Sequence, residues 1–106
     1  MTDATPFNVS VDTSDPSRTV IYVRGDVDML TANELGSCFR ATVDGDIVVD
    51  LSGVSFMDTS GLMQLLIAAT GADVAGRSFF LRSVPGHVAR LIELTGFESI
   101  MPTEAS

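Results

Sequence analysis

The feature that most constrains the fold is a short apolar run, Ile47-Val-Val-Asp-Leu51, near the middle of the chain. A strand with one face in water alternates apolar and polar residues, whereas a strand covered on both faces is nearly continuously apolar. The run therefore predicts a central strand that has neighbouring strands on its edges and other layers of the fold on its faces.

Three further strands are predicted around this one. Phe7–Val11 alternates apolar and polar residues, and Thr19–Arg24 is rich in β-branched residues and ends at Gly25. The turn-forming segment Ser14-Asp-Pro-Ser17 separates them, so we expect these two strands to form a hairpin. Ser78–Arg82 has the composition of a fourth strand, whereas Ser52–Met57 is predicted to be a loop.

The first of three predicted helices begins at Thr31 and ends before Gly45, because glycine commonly terminates helices. Glu34 follows Thr31 by three residues, which is the spacing of a capping box. The residues predicted to form its buried face share helical spacing and are Leu35, Cys38, Phe39 and Val43.

The other two helices are each bounded by turn residues. The second is predicted from Thr59 or Ser60 to Thr70, with Gly71 and Gly76 at its exit and an inward stripe of Leu62, Leu65, Leu66 and Ala69. The third starts at Pro85 and ends at Gly96, with a buried face of Val88, Leu91, Ile92 and Leu94. Phe97–Met101 is predicted to add a short edge strand.

Together these elements predict one α/β domain over residues 1–106. An N-terminal hairpin is followed by alternating helices and strands, which indicates a mixed (α+β-like) sheet of four or five strands with helices packed against it. Residues 1–6 and 102–106 are predicted to be loose termini.

The charge balance excludes several classes of partner. Six arginines against 14 acidic residues give a net charge of −8, whereas nucleic acids and anionic membranes attract clustered positive charge. We therefore expect neither as a partner. An acidic surface suits a partner with a basic face, although solubility alone also accounts for it. The chain shows no secretory signal and no apolar run of about 20 residues, so a cytoplasmic location is expected.

No arrangement of residues typical of an enzyme is present. His87 is the single histidine and Cys38 the single cysteine, and we expect the first to lie on the surface and the second to be a small buried residue. Asp26 and Asp28 follow a strand, but two carboxylates without further ligands favour a solvated loop over a cation site. The sequence therefore predicts a protein without catalysis, cofactor or metal.

The second helix is unusual because it carries no charge between Ser60 and Ala72. Met63 and Ile67 lie off its inward stripe, at positions where an exposed helix normally has Lys or Glu. Two interpretations stay open: a neighbouring helix covers these side chains, or they form an exposed apolar strip that binds a partner.

The beginning of that helix combines one carboxylate and two hydroxyls: Asp58, Thr59 and Ser60. One of them is expected to cap the unpaired backbone N–H groups of the first turn. A phosphate on a hydroxyl here would be tolerated by the helix dipole. We therefore expect phosphorylation to change an interface rather than the fold.

Three segments of this chain resemble the STAS domain, the family shared by sulfate-transporter tails and anti-sigma factor antagonists. They are Asp50-Leu-Ser-Gly-Val-Ser-Phe-Met-Asp-Thr-Ser-Gly-Leu62, Gly25-Asp26-Val27-Asp28 and Val88-Ala-Arg-Leu-Ile-Glu-Leu-Thr-Gly-Phe97. The resemblance implies a cycle in which the unmodified antagonist binds an anti-sigma factor serine/threonine kinase and releases a sigma factor. Phosphorylation by that kinase releases the antagonist, and a PP2C-type phosphatase resets it.

The resemblance also implies which residues act. The acceptor is the first hydroxyl residue after the aspartate of the motif, here Thr59, with Ser60 as the alternative. Threonine at this position departs from the serine typical of such antagonists. In this respect the chain resembles components of stressosome assemblies. The residues expected to bind the partner lie in or near the motif and are Asp26, Asp28, Met57, Asp58, Thr59, Ser60, Gly61, Met63 and Ile67.

A second function stays open at this point. Single STAS domains also serve as structural subunits of lipid-transport ABC complexes, where apolar helix surfaces hold them without phosphorylation. The free chain is expected to be monomeric.

Overall fold

The computed structural model describes residues 6–42 and 44–104. Within them the elements follow the order β1 (Asn8–Asp12), β2 (Arg18–Val27), α1 (Ala32–Ala41), β3 (Asp46–Met57), α2 (Thr59–Val74), β4 (Phe79–Arg82) and α3 (Gly86–Thr95). The strands lie in the order β1-β2-β3-β4, with β1 antiparallel to β2 and the other two pairs parallel. The predicted mixed α/β sheet with its N-terminal hairpin is confirmed. Val43, assigned above to the first helix, lies outside the described residues.

The apolar run forms the middle of the sheet, as predicted. Every residue from Ile47 to Leu51 is buried. Ile47, Val49 and Leu51 belong to the main core cluster, while Val48 points to the opposite face. There it lies between Val20 on β2 and a residue of β4 in the sheet register. Residues on both faces of the strand are therefore buried, although the helices cover only one face.

All three helices pack against the same face of the sheet. They contribute to one core cluster together with the inward-facing residues of β2, β3 and β4; the helix members are Leu35, Phe39, Leu62, Leu65, Ala69, Ala72, Val88 and Ile92. Burial of this continuous apolar surface is the main driving force for the fold. The α2 helix lies between its two neighbours and contacts both.

A polar row crosses the opposite face of the sheet. Tyr22, Asp50 and Arg82 are register partners on β2, β3 and β4. The Arg82 Nε atom lies 3.0 Å from the Asp50 carboxylate, and its Nη2 donates to the Tyr22 hydroxyl over 3.2 Å. The Ser52 hydroxyl donates to the same carboxylate over 2.7 Å. Asp50 is thus a buried charge within a satisfied network, as a polar residue inside an apolar strand requires.

Two strands are longer than predicted. The β2 strand continues past Gly25 to Val27, and β3 continues through the predicted loop at Ser52–Met57. The prediction was wrong because small polar residues pair through their backbones as well as apolar ones do. The pairing contains bulges, and Gly25 adopts the positive φ of 85° next to one of them.

The second helix is also longer than predicted. It passes Gly71 and ends at Val74. Ala72, the residue after Gly71, is buried with only 3% exposure. Its packing stabilises the helix beyond Gly71, although glycine has a low helix propensity. Leu66, placed above on the inward stripe, is only half-buried.

The C-terminal part differs from the sequence prediction at three places. The α3 helix ends at Gly96 in the left-handed conformation, as predicted, but Leu94 is 71% exposed and not part of its buried face. Residues 97–101 form turns rather than a strand. Residues 102–104 are not loose, since Thr103 bridges to Leu81 and Glu104 forms an ion pair with Arg18 over 3.0 Å.

The Asp50 network predicts a pH-dependent contribution to stability. Burial by itself raises the pKa of Asp50, but the hydrogen bonds from Ser52 and the Arg82 guanidinium outweigh it and hold that pKa below its ordinary value. A depressed pKa in the folded state means that the contribution is complete above the pKa of the unfolded chain and is lost as the pH falls through the folded value. The stability advantage of the wild type over Asp50→Asn should therefore shrink below about pH 4.

Urea denaturation between pH 7 and pH 2.5 measures this difference. Tyr22→Phe is the matched control, because it removes the phenol hydroxyl from the same network and leaves the Asp50 carboxylate in place. A wild-type advantage over Asp50→Asn that stays constant down to pH 2.5 would contradict the prediction.

Candidate functional site

The parallel pairing of β2 with β3 brings two loops to one edge of the sheet. The strands end at Val27 and Met57, which are register partners. The Asp58 N–H then donates to the Val27 carbonyl over 3.1 Å. The loop after β2 and the beginning of α2 therefore lie side by side, and they bring together the sequence-predicted residues Asp26, Asp28, Asp58, Thr59 and Ser60. We call this region the carboxyl edge.

Asp58 is the residue that caps α2. Its backbone is extended, and its carboxylate accepts a hydrogen bond from the Ser60 N–H over 2.8 Å. The Asp58 carbonyl accepts the first intrahelical bond, from Leu62, over 3.2 Å. This geometry leaves the Thr59 side chain exposed as the first residue of the helix, while Ser60 is half-buried. Of the two hydroxyl residues, Thr59 is the more accessible.

The loop between β2 and α1 is held by a different cap from the one predicted. The Asp28 carboxylate accepts hydrogen bonds from the Leu30 N–H over 2.9 Å and the Thr31 N–H over 3.1 Å. The Thr31 hydroxyl donates to the Asp26 carbonyl over 2.9 Å and accepts from the Asp28 N–H over 3.0 Å.

The predicted capping box between Thr31 and Glu34 is therefore wrong. Thr31 has helical φ and ψ angles of −96° and −16°, whereas a capping residue is normally extended. Its hydroxyl is directed back to the strand instead of forward to the helix. Among the described residues the helix has no side-chain cap; the Asp28 carboxylate instead holds the turn before it, so the loop that we expected to be merely solvated is an ordered turn.

This ordered loop exposes two apolar residues that the sequence analysis missed. Met29 is 75% exposed and Leu30 is 86% exposed. Phe56 is 48% exposed and is the register partner of Asp26 at the end of β3. The sequence does carry a signal for this exposed pair. Met29 and Leu30 are adjacent apolar residues in a short loop directly after a strand, and the residues on either side of them are of types that favour helix caps.

Met63 and Ile67 are exposed, by 51% and 56%. The interpretation that a neighbouring helix covers them is therefore wrong. Val74, with 84% exposure, lies within about 40° of both around the axis of α2 at 100° per residue. These three residues form an exposed apolar stripe along α2, on the side opposite its buried face.

Two residues predicted to bind a partner are buried instead. Met57 is 6% exposed and Gly61 is also buried. A Cβ atom on Gly61 would lie 2.6 Å from the Val27 Cγ1 atom and 2.9 Å from the Met57 Cγ atom. Both residues therefore lie beneath the surface of the carboxyl edge, where they set how closely α2 approaches the two strands.

The carboxyl edge combines charged and apolar side chains. Among residues 6–42 and 44–104, no three His, Cys, Asp or Glu side chains are grouped so that they could hold a metal ion. Three carboxylates, those of Asp26, Asp28 and Asp58, share the edge with exposed apolar side chains.

In the described part of the chain, no helix has the length and apolarity needed to cross a membrane. His87 is exposed, as predicted.

The fold agrees with the comparison to known families. Residues 10–102 match the family model described as "Mlab, STAS domain". The chain therefore belongs to the STAS domain family, as its three motifs indicated.

Relatives of known role are similar to this chain over most of their length. The anti-sigma-B factor antagonist of Staphylococcus aureus (strain NCTC 8325 / PS 47) is 26% identical over 99 residues, which cover 90% of this chain and 92% of that protein. The crystal structure of an anti-sigma factor antagonist from Mycobacterium paratuberculosis is 25% identical, with a TM-score of 0.79 over 95% of this chain and 87% of that chain. The Bacillus cell fate determinant SpoIIAA in its phosphorylated form is 14% identical, with a TM-score of 0.75 over 93% of each chain, and shows the fold alone.

The close contact beneath the edge predicts opposite effects for one substitution at two glycines of α2. Gly61→Ala should destabilise the protein by about 1–3 kcal/mol, because the added methyl meets Val27 and Met57. Gly71→Ala is the matched control: a Cβ there meets nothing within 4 Å, so it should stabilise by about 0.5–1 kcal/mol. Chemical denaturation measures both values, and a Gly61→Ala variant as stable as Gly71→Ala would show that the contact relaxes without cost.

The Asp28 cap predicts a local loss of order. Asp28→Ala removes the acceptor for two backbone N–H groups and should cost about 1–2 kcal/mol of stability. The Leu30 and Thr31 amides should then exchange with solvent faster, as measured by NMR hydrogen exchange. Asp26→Ala is the control, because Asp26 accepts the hydrogen bond of the Thr31 hydroxyl through its backbone carbonyl. Equal exchange in wild type and Asp28→Ala would contradict the assigned cap.

Proposed function

We propose that this protein is an anti-sigma factor antagonist that binds an anti-sigma factor serine/threonine kinase when unphosphorylated and is released by phosphorylation of Thr59. It would thereby control transcription that depends on a sigma factor, in the cytoplasm. The names of its relatives support the antagonist role. The observation that carries the switch is the exposed Thr59 hydroxyl, at the first residue of α2 and beside the Asp58 cap.

The chemistry of the switch belongs to the partners. The kinase transfers the γ-phosphoryl group of ATP to the Thr59 Oγ1 atom: the new P–O bond forms as the bond to the leaving ADP oxygen breaks. The hydroxyl proton passes to a base of the kinase. A PP2C-type phosphatase later hydrolyses the ester with water and restores the hydroxyl. This chain supplies the acceptor and the surface around it.

The difference in exposure favours Thr59 over Ser60 as the acceptor. An acceptor hydroxyl has to enter the active site of a kinase, and Thr59 is exposed while Ser60 is half-buried. The Ser60 N–H is also bound to the Asp58 carboxylate, which holds that residue against the cap. Ser60 is the alternative acceptor if the first turn of α2 opens in the complex.

Phosphate at Thr59 should act on the interface and leave the fold intact. Its added charge of about −1.5 to −2 lies at a helix N-terminus, where the dipole and the backbone N–H groups stabilise an anion. The same charge stands beside Asp26, Asp28 and Asp58. A partner surface that fits the neutral hydroxyl and three carboxylates would then meet a more bulky and more negative group, and the complex would dissociate.

This proposal predicts distinct behaviour for two Thr59 variants. Thr59→Ala should bind the kinase whether or not ATP is present, because it cannot be released. Thr59→Glu should bind at least about tenfold more weakly while its far-UV circular dichroism and melting temperature stay close to those of the wild type. Isothermal titration calorimetry with the purified kinases of the source organism measures the binding.

Mass spectrometry after incubation with kinase and ATP identifies the acceptor, with Ser60→Ala as the control that keeps Thr59. Modification solely outside these two residues would exclude the assigned switch. Unfolding of Thr59→Glu would contradict the reasoning about the helix terminus.

The exposed stripe on α2 supports a second candidate function, that of a structural subunit in a lipid-transport ABC complex or in a stressosome. Such a subunit is held by apolar helix surfaces. Co-purification with a permease and an ATPase, unaffected by Thr59→Glu, would favour the ABC subunit over the antagonist. Assembly into a large complex of STAS proteins would favour the stressosome.

A further inference from the structure

The loop between β2 and α1 exposes two adjacent apolar side chains. Single exposed apolar residues are common on protein surfaces. Adjacent ones in a loop are unusual, because a loop of ordinary flexibility can fold such side chains back onto the protein. Met29 and Leu30, at 75% and 86% exposure, bury little of their surface.

The hydrogen bonds of the loop maintain this exposure. The Asp28 carboxylate binds the N–H groups of Leu30 and Thr31, and the Thr31 hydroxyl ties the loop to the end of β2 through Asp26. The Ala32 N–H also donates to the Asp28 carbonyl over 2.8 Å. The backbone on both sides of Met29 and Leu30 is thus fixed, and the two side chains are directed into solvent by a defined turn.

The loop also lies next to the proposed phosphorylation site. It follows Val27, whose carbonyl accepts a hydrogen bond from the Asp58 N–H at the start of α2. A partner that covers Thr59 at this edge would therefore also reach the loop. The nearby carboxylates are those of Asp26, Asp28 and Asp58.

We propose that Met29 and Leu30 form a preorganised anchor that inserts into an apolar pocket of the kinase, bordered by basic side chains. The inference rests on the function proposed above and names the chemistry of its partner.

Preorganisation is what makes this loop effective as an anchor. Ordering a flexible loop on binding reduces affinity, and a loop that is already held in its bound form avoids that loss. Apolar side chains buried at the centre of an interface commonly carry much of its binding energy. The carboxylates around the anchor attract a basic rim and orient the partner.

The test compares variants of the anchor with a variant at a comparably exposed apolar position elsewhere. Met29→Ala and Leu30→Ala should each weaken binding to the purified kinase, loaded with ADP, by about tenfold. Leu94→Ala is the matched control, since that side chain is 71% exposed on α3 and lies outside the stripe on α2. It should leave the dissociation constant unchanged. Calorimetry or surface plasmon resonance gives the values.

A third variant separates preorganisation from contact. Thr31→Val keeps Met29 and Leu30 but removes the hydroxyl that ties the loop to Asp26. We expect weaker binding by about three- to tenfold, together with faster hydrogen exchange of the Leu30 amide. Circular dichroism at the binding temperature establishes that each variant is folded.

The outcomes distinguish this inference from the proposed function. If the wild type binds the kinase and phosphorylation releases it, but Met29→Ala and Leu30→Ala bind as tightly as the wild type, the anchor is wrong and the antagonist function stands. Equal losses in the anchor and control variants would also overturn the anchor. If none of the purified kinases binds the wild type or Thr59→Ala, both proposals fail.

Discussion

The parallel pairing of β2 with β3 is the interaction on which the rest of the structure depends. It continues for the full length of both strands and ends at Val27 and Met57, so the next segments of the chain leave the sheet side by side. One segment becomes the capped loop before α1, and the other becomes the beginning of α2. Any shorter pairing would separate Asp28 from Thr59 and leave no common surface at this edge.

The site needs a close approach of helix and sheet as well as this pairing. Gly61 lets α2 lie against Val27 and Met57, where a larger residue would meet their side chains. The first turn of α2 is thereby pressed onto the sheet, and Asp58 caps it. The functional consequence is that Thr59 is presented to solvent from a rigid base. Under the proposed function, a phosphate on Thr59 would leave the core unchanged, because its charge would stand at the favourable end of the helix.

The carboxyl edge combines two kinds of side chain that normally lie apart. The Asp58 carboxylate caps α2, and the Asp28 carboxylate holds the turn before α1. That turn, which directly follows β2, exposes Met29 and Leu30. Apolar contact gives affinity, while charge gives orientation and a means of release. Under the proposed function, this acidic protein would in this way bind a basic partner and lose it when one more negative group is added.

The sequence by itself determined the sheet, the helices and the family. The Ile47–Leu51 run, the glycine after α3 and the motif around Asp58 each depend on local composition and spacing, which the chain carries without its fold. Only the tertiary structure decided the length of β3, the exposure of Met29 and Leu30, and the burial of Gly61. The length of β3 and the burial of Gly61 depend on residues distant in the chain, because pairing with β2 extends β3 and the strands beneath α2 enclose the glycine. The exposure of Met29 and Leu30 depends on a local turn, fixed by the hydrogen bond from Thr31 to the Asp26 carbonyl, over which no other element of the described chain packs. A sequence pattern reports which face of an element is apolar, but contact across elements decides which groups remain in water.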